Sequence, residues 1–169
     1  MQQITRQAAE TKTIATPCHK KESAVQSRAM DSETEEVVMV DESLAQAIGA
    51  ALMEGQLPCA EAFRIAEELK VRPAAVGQAA DELGVRISRC QLGLFGYGPK
   101  AEGKHRIVQP LPEAPPQVSE EILARLQEGR LPCAVAWGLA KRLGLSKLEV
   151  SGAAETMKIK INCCQLGCF

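Results

Sequence analysis

The sequence has few aromatic residues and no long apolar run. Only 3% of its 169 residues are aromatic, whereas 46% are hydrophobic. The interior must therefore be built mainly from Leu, Ile, Val and Ala. No apolar stretch approaches the roughly 20 residues that a membrane-spanning helix needs. The N-terminal residues also lack the apolar segment of a secretory signal. We therefore expect a cytoplasmic protein with no membrane association.

The sequence also lacks a large excess of charge of either sign, because its formal net charge is −1. This balance argues against a strongly basic protein that binds nucleic acids without specificity. The charge is unevenly distributed: residues 1–43 carry net −3, residues 44–108 net +1 and residues 118–169 net +2. The acidity is thus concentrated at the N-terminus, and the remaining segments are mildly basic.

Residue patterns that indicate catalysis are missing as well. There are two histidines, His19 and His105, and neither has a nucleophile or acid close to it in sequence. The glycines at 93, 96 and 98 do not precede a Lys-Ser/Thr pair or a helix, as a phosphate-binding loop would require. We therefore predict that the protein is not an enzyme.

The chain contains an internal repeat with an offset of 74 residues. Residues 48–95 align without a gap with residues 122–169, and 21 of the 48 positions are identical. The identical positions include the segments Leu-Pro-Cys-Ala and Cys-Gln-Leu-Gly. Such self-similarity indicates one module of about 50 residues present twice. We refer to residues 48–95 as the first copy and to residues 122–169 as the second copy.

The repeat divides the chain into four regions. Residues 1–40 are polar and lack hydrophobic periodicity, which predicts a largely disordered tail. Residues 41–108 form the first module and residues 118–169 the second. Between them, residues 109–117 contain four prolines in nine positions. Such a composition predicts a semi-rigid, extended linker.

Each module is predicted to contain three short helices followed by a strand. Apolar residues recur at helical spacing up to Gly55 and Gly129, and a second helix follows the Leu-Pro-Cys segment. The third helix ends near residue 84 in the first module. In the second module it begins after Ser146, which forms a capping box with Glu149. The hydrophobic period then changes to two, which predicts a strand.

This order of elements resembles the helix-turn-helix superfamily in its winged-helix form. In the second copy Ala140, Gly144 and Val150 have the spacing of a helix-turn-helix, whereas in the first copy Lys70 replaces the turn glycine. Residues 96–108 contain a glycine- and lysine-rich stretch that resembles the β-wing of such proteins, and the second module lacks a wing. We therefore predict a mainly α protein with short β-strands, built from two tandem helix-turn-helix modules, the first with a β-wing.

The resemblance implies a DNA-binding regulator of transcription. In such proteins the third helix enters the major groove and the wing contacts phosphates. The residues that would contact DNA are Arg72, Gln78, Lys100, Lys104, Arg106 and Lys147. Small and acidic residues occupy much of the same helix surface, however. A module that docks another protein is therefore the alternative, and DNA and protein both stay open as partners.

The seven cysteines provide a second functional hypothesis. Cys133, Cys163, Cys164 and Cys168 could together supply four thiolates for zinc or an iron–sulfur cluster. No Cys-x-x-Cys spacing occurs, so we expect no cofactor, and a metal or redox site in the second copy belongs to the alternative reading. Cys59, Cys90, Cys133 and Cys164 also fit the role of small buried residues. The repeat itself is compatible with a homodimer or with an intramolecular pseudo-dimer.

Overall fold

The computed structural model describes residues 41–169. The tail predicted at residues 1–40 lies outside the described residues. The first copy and its N-terminal extension contain α1 (Glu42–Ala50), β1 (Gln56–Pro58), α2 (Cys59–Glu68), α3 (Pro73–Glu82) and β2 (Arg86–Ser88). The second contains α4 (Pro116–Leu123), β3 (Leu131–Pro132), α5 (Cys133–Leu143), α6 (Lys147–Thr156) and β4 (Ile161–Asn162). The prediction of a mainly helical protein with short strands is confirmed.

The helix boundaries follow from residues in the sequence. Pro73 and Pro116 occupy the first turns of α3 and α4, where a missing N–H leaves no hydrogen bond unmade. The capping box predicted before α6 is present, because the Ser146 hydroxyl accepts a hydrogen bond from the Glu149 backbone and the Glu149 carboxylate accepts one from the Ser146 backbone. Gly144 ends α5 with φ of +68°. These local signals determine where the helices begin and end.

Two short parallel ladders join the strands. β1 pairs with β2 with Leu57 opposite Ile87, and β3 pairs with β4 with Leu131 opposite Ile161. β1 and β3 were not predicted, since two or three residues are too few for a period-two pattern to be visible. Each ladder ties the start of the second helix in a copy to the strand that follows its third helix.

The predicted β-wing is replaced by other structure. Residues 97–108 contain a 3₁₀ turn at Lys100–Glu102 and no strand. The segment predicted as the return strand instead contacts a turn, because the Ile107 and Val108 amides both donate to the Gly93 carbonyl. The glycine- and lysine-rich composition therefore suits a compact loop as well as a hairpin. The winged-helix part of the prediction is not confirmed.

The proline-rich linker packs against the second copy. The Thr156 hydroxyl donates to the Leu111 carbonyl at 2.8 Å, and Leu111 joins the apolar cluster around α5 and α6. A Cβ atom at Gly152 would lie 2.9 Å from the Gln109 carbonyl oxygen, so the linker runs directly over α6. Among residues 41–169, no helix is long and apolar enough to cross a membrane.

Candidate functional site

The two Cys-Gln-Leu-Gly segments exchange places between the copies. Leu92 of the first copy is completely buried in the apolar cluster of the second copy, beside Val150 and Ala153. Leu166 of the second copy is buried in the cluster of the first, beside Val76. Each copy therefore contributes a leucine to the core of the other. The two copies form an intramolecular pseudo-dimer, one of the two arrangements that the repeat predicted.

Equivalent aromatic residues meet across this pseudo-dimer. Phe63 and Trp137 occupy matching repeat positions, and their ring centroids are 4.3 Å apart. Phe95 and Phe169 also match, and they pack edge to face at 5.9 Å. In a twofold-symmetric interface, equivalent residues contact each other near the axis. Four of the five aromatic residues are therefore placed where the copies meet, in a chain that has few.

The side-chain amide nitrogen of each segment's glutamine bonds within its own copy. The Gln91 side-chain amide donates to the Cys59 sulfur at 3.9 Å, and the Gln165 amide donates to the Cys133 sulfur at 3.7 Å. Gly93 and Gly167 follow with φ of +75° and +79°, a conformation that glycine adopts without strain. Each residue of the segment thus has its own role. The glutamine amide bonds to the cysteine that begins the second helix, the leucine enters the core of the other copy, and the glycine allows the chain to turn.

The exchanged segment around Leu166 and the linker cover part of the helices that a helix-turn-helix protein would present to DNA. Gly77 on α3 is buried because the Leu166 backbone lies against it. On α6, Ser151 and Gly152 are also buried. These three belong to the small residues that the helix-turn-helix pattern assigns to the DNA-facing surface, and the structure buries them instead. The first turn of each helix remains more accessible than its centre.

Four of the six predicted DNA contacts have partners inside the protein. Gln78 donates to the Glu82 carboxylate at 3.0 Å, and the Lys104 ammonium lies 2.8 Å from the Glu102 carboxylate. Arg106 forms an ion pair with Glu155 on α6. Lys147 is the fourth, and its contacts are described below. The side chains of the remaining two, Arg72 and Lys100, have neither a hydrogen bond nor an ion pair with another described residue.

Lys147 belongs to the contact between the copies. Its ammonium donates to the Gln91 side-chain oxygen at 2.5 Å and lies 3.3 Å from the centre of the Trp137 ring. Partial burial lowers the pKa of Lys147 from its usual value. Such a cation over an aromatic ring stabilises the contact that it joins. We therefore assign Lys147 to the interface between the copies.

Three cysteines are core residues. Cys59, Cys90 and Cys133 are buried, as the core interpretation of the sequence predicted. Burial raises the pKa of Cys59 and of Cys133 to about 11, and it raises the pKa of Cys90 as well. The helix N-termini at Cys59 and Cys133, which favour a thiolate, do not offset this rise in pKa. All three therefore remain as thiols at neutral pH and react slowly.

Cys164 and Cys168 form a different kind of site. The turn that holds them is closed by two backbone bonds, from Gly167 to the Cys164 carbonyl at 2.9 Å and from Cys164 to the Phe169 carbonyl at 3.2 Å. The Cys168 thiol hydrogen-bonds to the Cys164 sulfur, which lowers the pKa of Cys164 and raises that of Cys168. Cys168 is exposed, and Cys164 is partly buried. The pair consists of a stabilised thiolate and an adjacent thiol.

The four cysteines predicted as metal ligands are not gathered into one site. Cys133 is buried against Gln165, Cys163 is disulfide-bonded, and Cys164 and Cys168 contact each other. Within residues 41–169 no group of three or more His, Cys, Asp or Glu side chains is placed to hold a metal ion. Binding of zinc or an iron–sulfur cluster stays a prediction.

Comparison of the chain with protein-family models, curated proteins and solved structures finds no match. Function is therefore inferred from the geometry of the molecule. The structure defines a pseudo-dimer of two copies, each with three short helices and a two-stranded ladder, and with reciprocally exchanged segments. The repeated Cys-Gln-Leu-Gly is visible in the sequence, but the sequence does not indicate which copy each leucine enters.

Proposed function

We propose that the protein is a non-catalytic regulatory module with a dithiol switch in its second copy, formed by Cys164 and Cys168. The observation that carries this proposal is the closed turn at residues 164–169, which holds the two thiols in hydrogen-bond contact. A thiolate beside a second, accessible thiol is the arrangement that favours reversible disulfide formation. The first copy has Leu94 at the position of Cys168 and therefore cannot form the same pair.

The proposed reaction is a two-electron oxidation by a peroxide. The Cys164 thiolate attacks one peroxide oxygen, the O–O bond breaks, and the other oxygen leaves as water after taking up a proton. The Cys168 sulfur then attacks the resulting sulfenic acid, forms the S–S bond and releases a second water. Overall, two thiols lose two electrons and two protons, and hydrogen peroxide is reduced to two waters.

The partner of this module is proposed to be another protein. The surface of α3 that would contact DNA is partly covered by the segment around Leu166 and that of α6 by the linker, and four of the six candidate DNA contacts have partners within the protein. Oxidation at residues 164 and 168 changes the turn that carries Leu166 into the first copy. A disulfide would thereby alter the contact between the copies and any surface that they share.

The experiment is peroxide oxidation followed by peptide mapping. The reduced protein is treated with stoichiometric hydrogen peroxide, the remaining thiols are blocked, and the disulfides are assigned by mass spectrometry. We expect a bridge between Cys164 and Cys168, which is abolished in Cys168→Ser and retained in the control Cys90→Ser. Oxidation of Cys90 as fast as that of Cys164, or a bridge that does not include Cys168, would contradict the proposal.

DNA binding is a second candidate, supported by the helix-turn-helix order in both copies and by the exposed, unpaired side chains of Arg72 and Lys100. It is tested by fluorescence anisotropy with mixed-sequence duplex DNA in low salt. The double variant Arg72→Ala, Lys100→Ala should weaken binding, whereas Arg130→Ala, an exposed arginine of the second copy, should have a smaller effect. An unchanged anisotropy on addition of wild-type protein would exclude this candidate.

A further inference from the structure

A groove of about 810 Å³ lies where the two copies meet. Its walls come from the segments around β2 and β4 and from the two Cys-Gln-Leu-Gly turns. Eight of the twelve lining residues form equivalent pairs in the repeat, so the central part of the groove follows the pseudo-twofold symmetry of the protein. These pairs are Arg86 with Lys160, Ile87 with Ile161, Leu94 with Cys168, and Phe95 with Phe169.

The central part of the groove is apolar. The rings of Phe95 and Phe169 pack edge to face there, and Ile87 and Ile161 are only partly buried. Phe169 is 49% exposed. Apolar surface left in contact with water in a concave site is the usual feature of a small-molecule pocket, and the volume is within the range of such pockets. A ligand with an apolar body would remove this surface from water.

The charged residues of the groove are mostly cationic. Arg86 and Lys160 are exposed and have no ion pair with another described residue. Arg106 also lines the groove, but it is paired with Glu155. Asp81 is the acidic residue of the lining, and it is engaged in an interaction of its own. The two cations that remain available occupy equivalent positions, one from each copy.

From this arrangement we propose that the groove binds an amphipathic carboxylate, such as a medium-chain fatty acid. The aliphatic chain would lie against Phe95, Phe169 and the two isoleucines, and the carboxylate would pair with Arg86 or Lys160. The site goes beyond the dithiol switch and does not depend on it, because Cys168 contributes one wall but none of the charge. The apolar centre with basic residues on both sides favours this class over a fully polar anion.

The experiment is isothermal titration calorimetry of the reduced full-length protein with decanoate below its micelle concentration. Decan-1-ol serves as the uncharged ligand of equal chain length. The double variant Arg86→Ala, Lys160→Ala should weaken decanoate binding up to about fivefold, since an exposed ion pair contributes up to about 1 kcal/mol. Binding of decanol should be unaffected in that variant. Arg130→Ala, the matched control outside the groove, should bind decanoate as the wild type does.

The apolar part of the site is tested with Phe169→Ala. This change removes an exposed ring at residue 169 and is not expected to unfold the protein, which circular dichroism would verify. Decanoate and decanol should both bind several-fold more weakly to it. Three results would overturn the proposal: no heat of binding with decanoate, equal affinity for decanoate and decanol, or the same affinity in the Arg86/Lys160 double variant. Repeating the titration with Cys168→Ser separates this proposal from that of the dithiol switch.

Discussion

The two copies reach the same backbone conformation with different residues. The turn after the second helix has φ of +68° at Gly144 in the second copy and +56° at Lys70 in the first. After the third helix the assignment is reversed, with +68° at Gly84 in the first copy and +58° at Lys158 in the second. The fold therefore specifies a left-handed residue at both places. Each copy has kept glycine at one of them and tolerates a lysine at the other.

The copies differ more where the exchanged segments pack. Gly77 on α3 has no room for a side chain, because a Cβ atom would lie 1.9 Å from the Leu166 carbonyl oxygen. The matching position on α6 is Ser151, which is completely buried and whose hydroxyl has no hydrogen-bond partner within the described residues. The second segment thus lies directly against the α3 backbone at a position where no side chain fits, whereas the equivalent position on α6 accommodates a serine side chain.

The largest effect is expected from removing either exchanged leucine. Leu92→Ala and Leu166→Ala each leave a cavity in a fully buried site, which should lower the free energy of unfolding by about 2–5 kcal/mol. Leu123→Ala, at a position that is 57% exposed, should change it by less than about 0.5 kcal/mol. Urea denaturation measures all three. A small loss of unfolding free energy in either core variant would contradict the reciprocal exchange, because the leucine of that segment would then not be part of the other copy's core.

Exchanging the equivalent residues Gly77 of α3 and Ser151 of α6 should change the stability of the protein unequally in the two variants. Gly77→Ser forces a side chain against the Leu166 backbone and should cost about 1–3 kcal/mol or more. Ser151→Gly removes a buried unsatisfied hydroxyl but adds a flexible residue to a helix, so these effects oppose each other and the net change should be within about 1 kcal/mol. Thermal unfolding of both variants provides the test. Equal destabilisation would show that the two segments approach their helices equally closely.

The reactivity of Cys164 distinguishes the second copy chemically. The Cys168 hydrogen bond lowers the pKa of Cys164, so the thiolate forms at lower pH than in an ordinary thiol and alkylation of Cys164 should level off at a lower pH than that of an ordinary cysteine. Cys168→Ala should reduce the rate of iodoacetamide modification at pH 7 about tenfold, because the pKa returns toward that of an ordinary thiol while nucleophilicity rises partly in compensation.

Cys168→Ser is the matched control for this experiment, since its hydroxyl can still donate a hydrogen bond to Cys164. It should retain most of the reactivity. Cys90, whose pKa is raised by burial, should react slowly in every variant and serves as an internal reference. Equal rates for Cys164 in the Ala, Ser and wild-type proteins would mean that Cys168 does not stabilise the thiolate.

The smallest expected effect concerns the turn lysine of the first copy. Lys70→Gly relieves a left-handed lysine, which costs about 1–2 kcal/mol in backbone strain, but it also adds entropy to the unfolded chain. We expect a net stabilisation of about 0.5–1 kcal/mol. Gly144→Ala, the opposite change in the second copy, should destabilise by a similar amount. Melting temperatures that move in the same direction for both variants would contradict the equivalence of the two turns.

The sequence predicted the parts of the fold that depend on local signals. Three such parts follow from neighbouring residues. They are the capping box at Ser146, the helix α3 that begins at a proline, and the strand segments after residues 84 and 158. The ladders that pair β1 with β2 and β3 with β4 depend on contacts about 30 residues apart, which a pattern of two or three residues cannot reveal. The wing prediction failed for a related reason. The Gly93 carbonyl accepts hydrogen bonds from the Ile107 and Val108 amides, which a return strand would have used for strand pairing.

The candidate sites were predictable only in part. The thiols of Cys164 and Cys168 were among the residues singled out, but their pairing depends on a turn whose closure the sequence does not display. The groove was not predicted, because Arg86 and Lys160 appear as ordinary exposed cations until the two copies are brought together. An offset of 74 residues establishes which positions are equivalent, but it does not establish which equivalent positions touch.

The most direct test of the reciprocal exchange is hydrogen–deuterium exchange of Leu166→Ala, measured by mass spectrometry with Leu92→Ala as its counterpart. The exchange places Leu166 in the core of the first copy, so its variant should lose protection in α3, at Val76–Ala80, more than in α6. Leu92→Ala should show the reverse, with greater loss at Val150–Ala154. If each variant instead loses protection mainly within its own copy, the two segments are not exchanged and the pseudo-dimer described above is wrong.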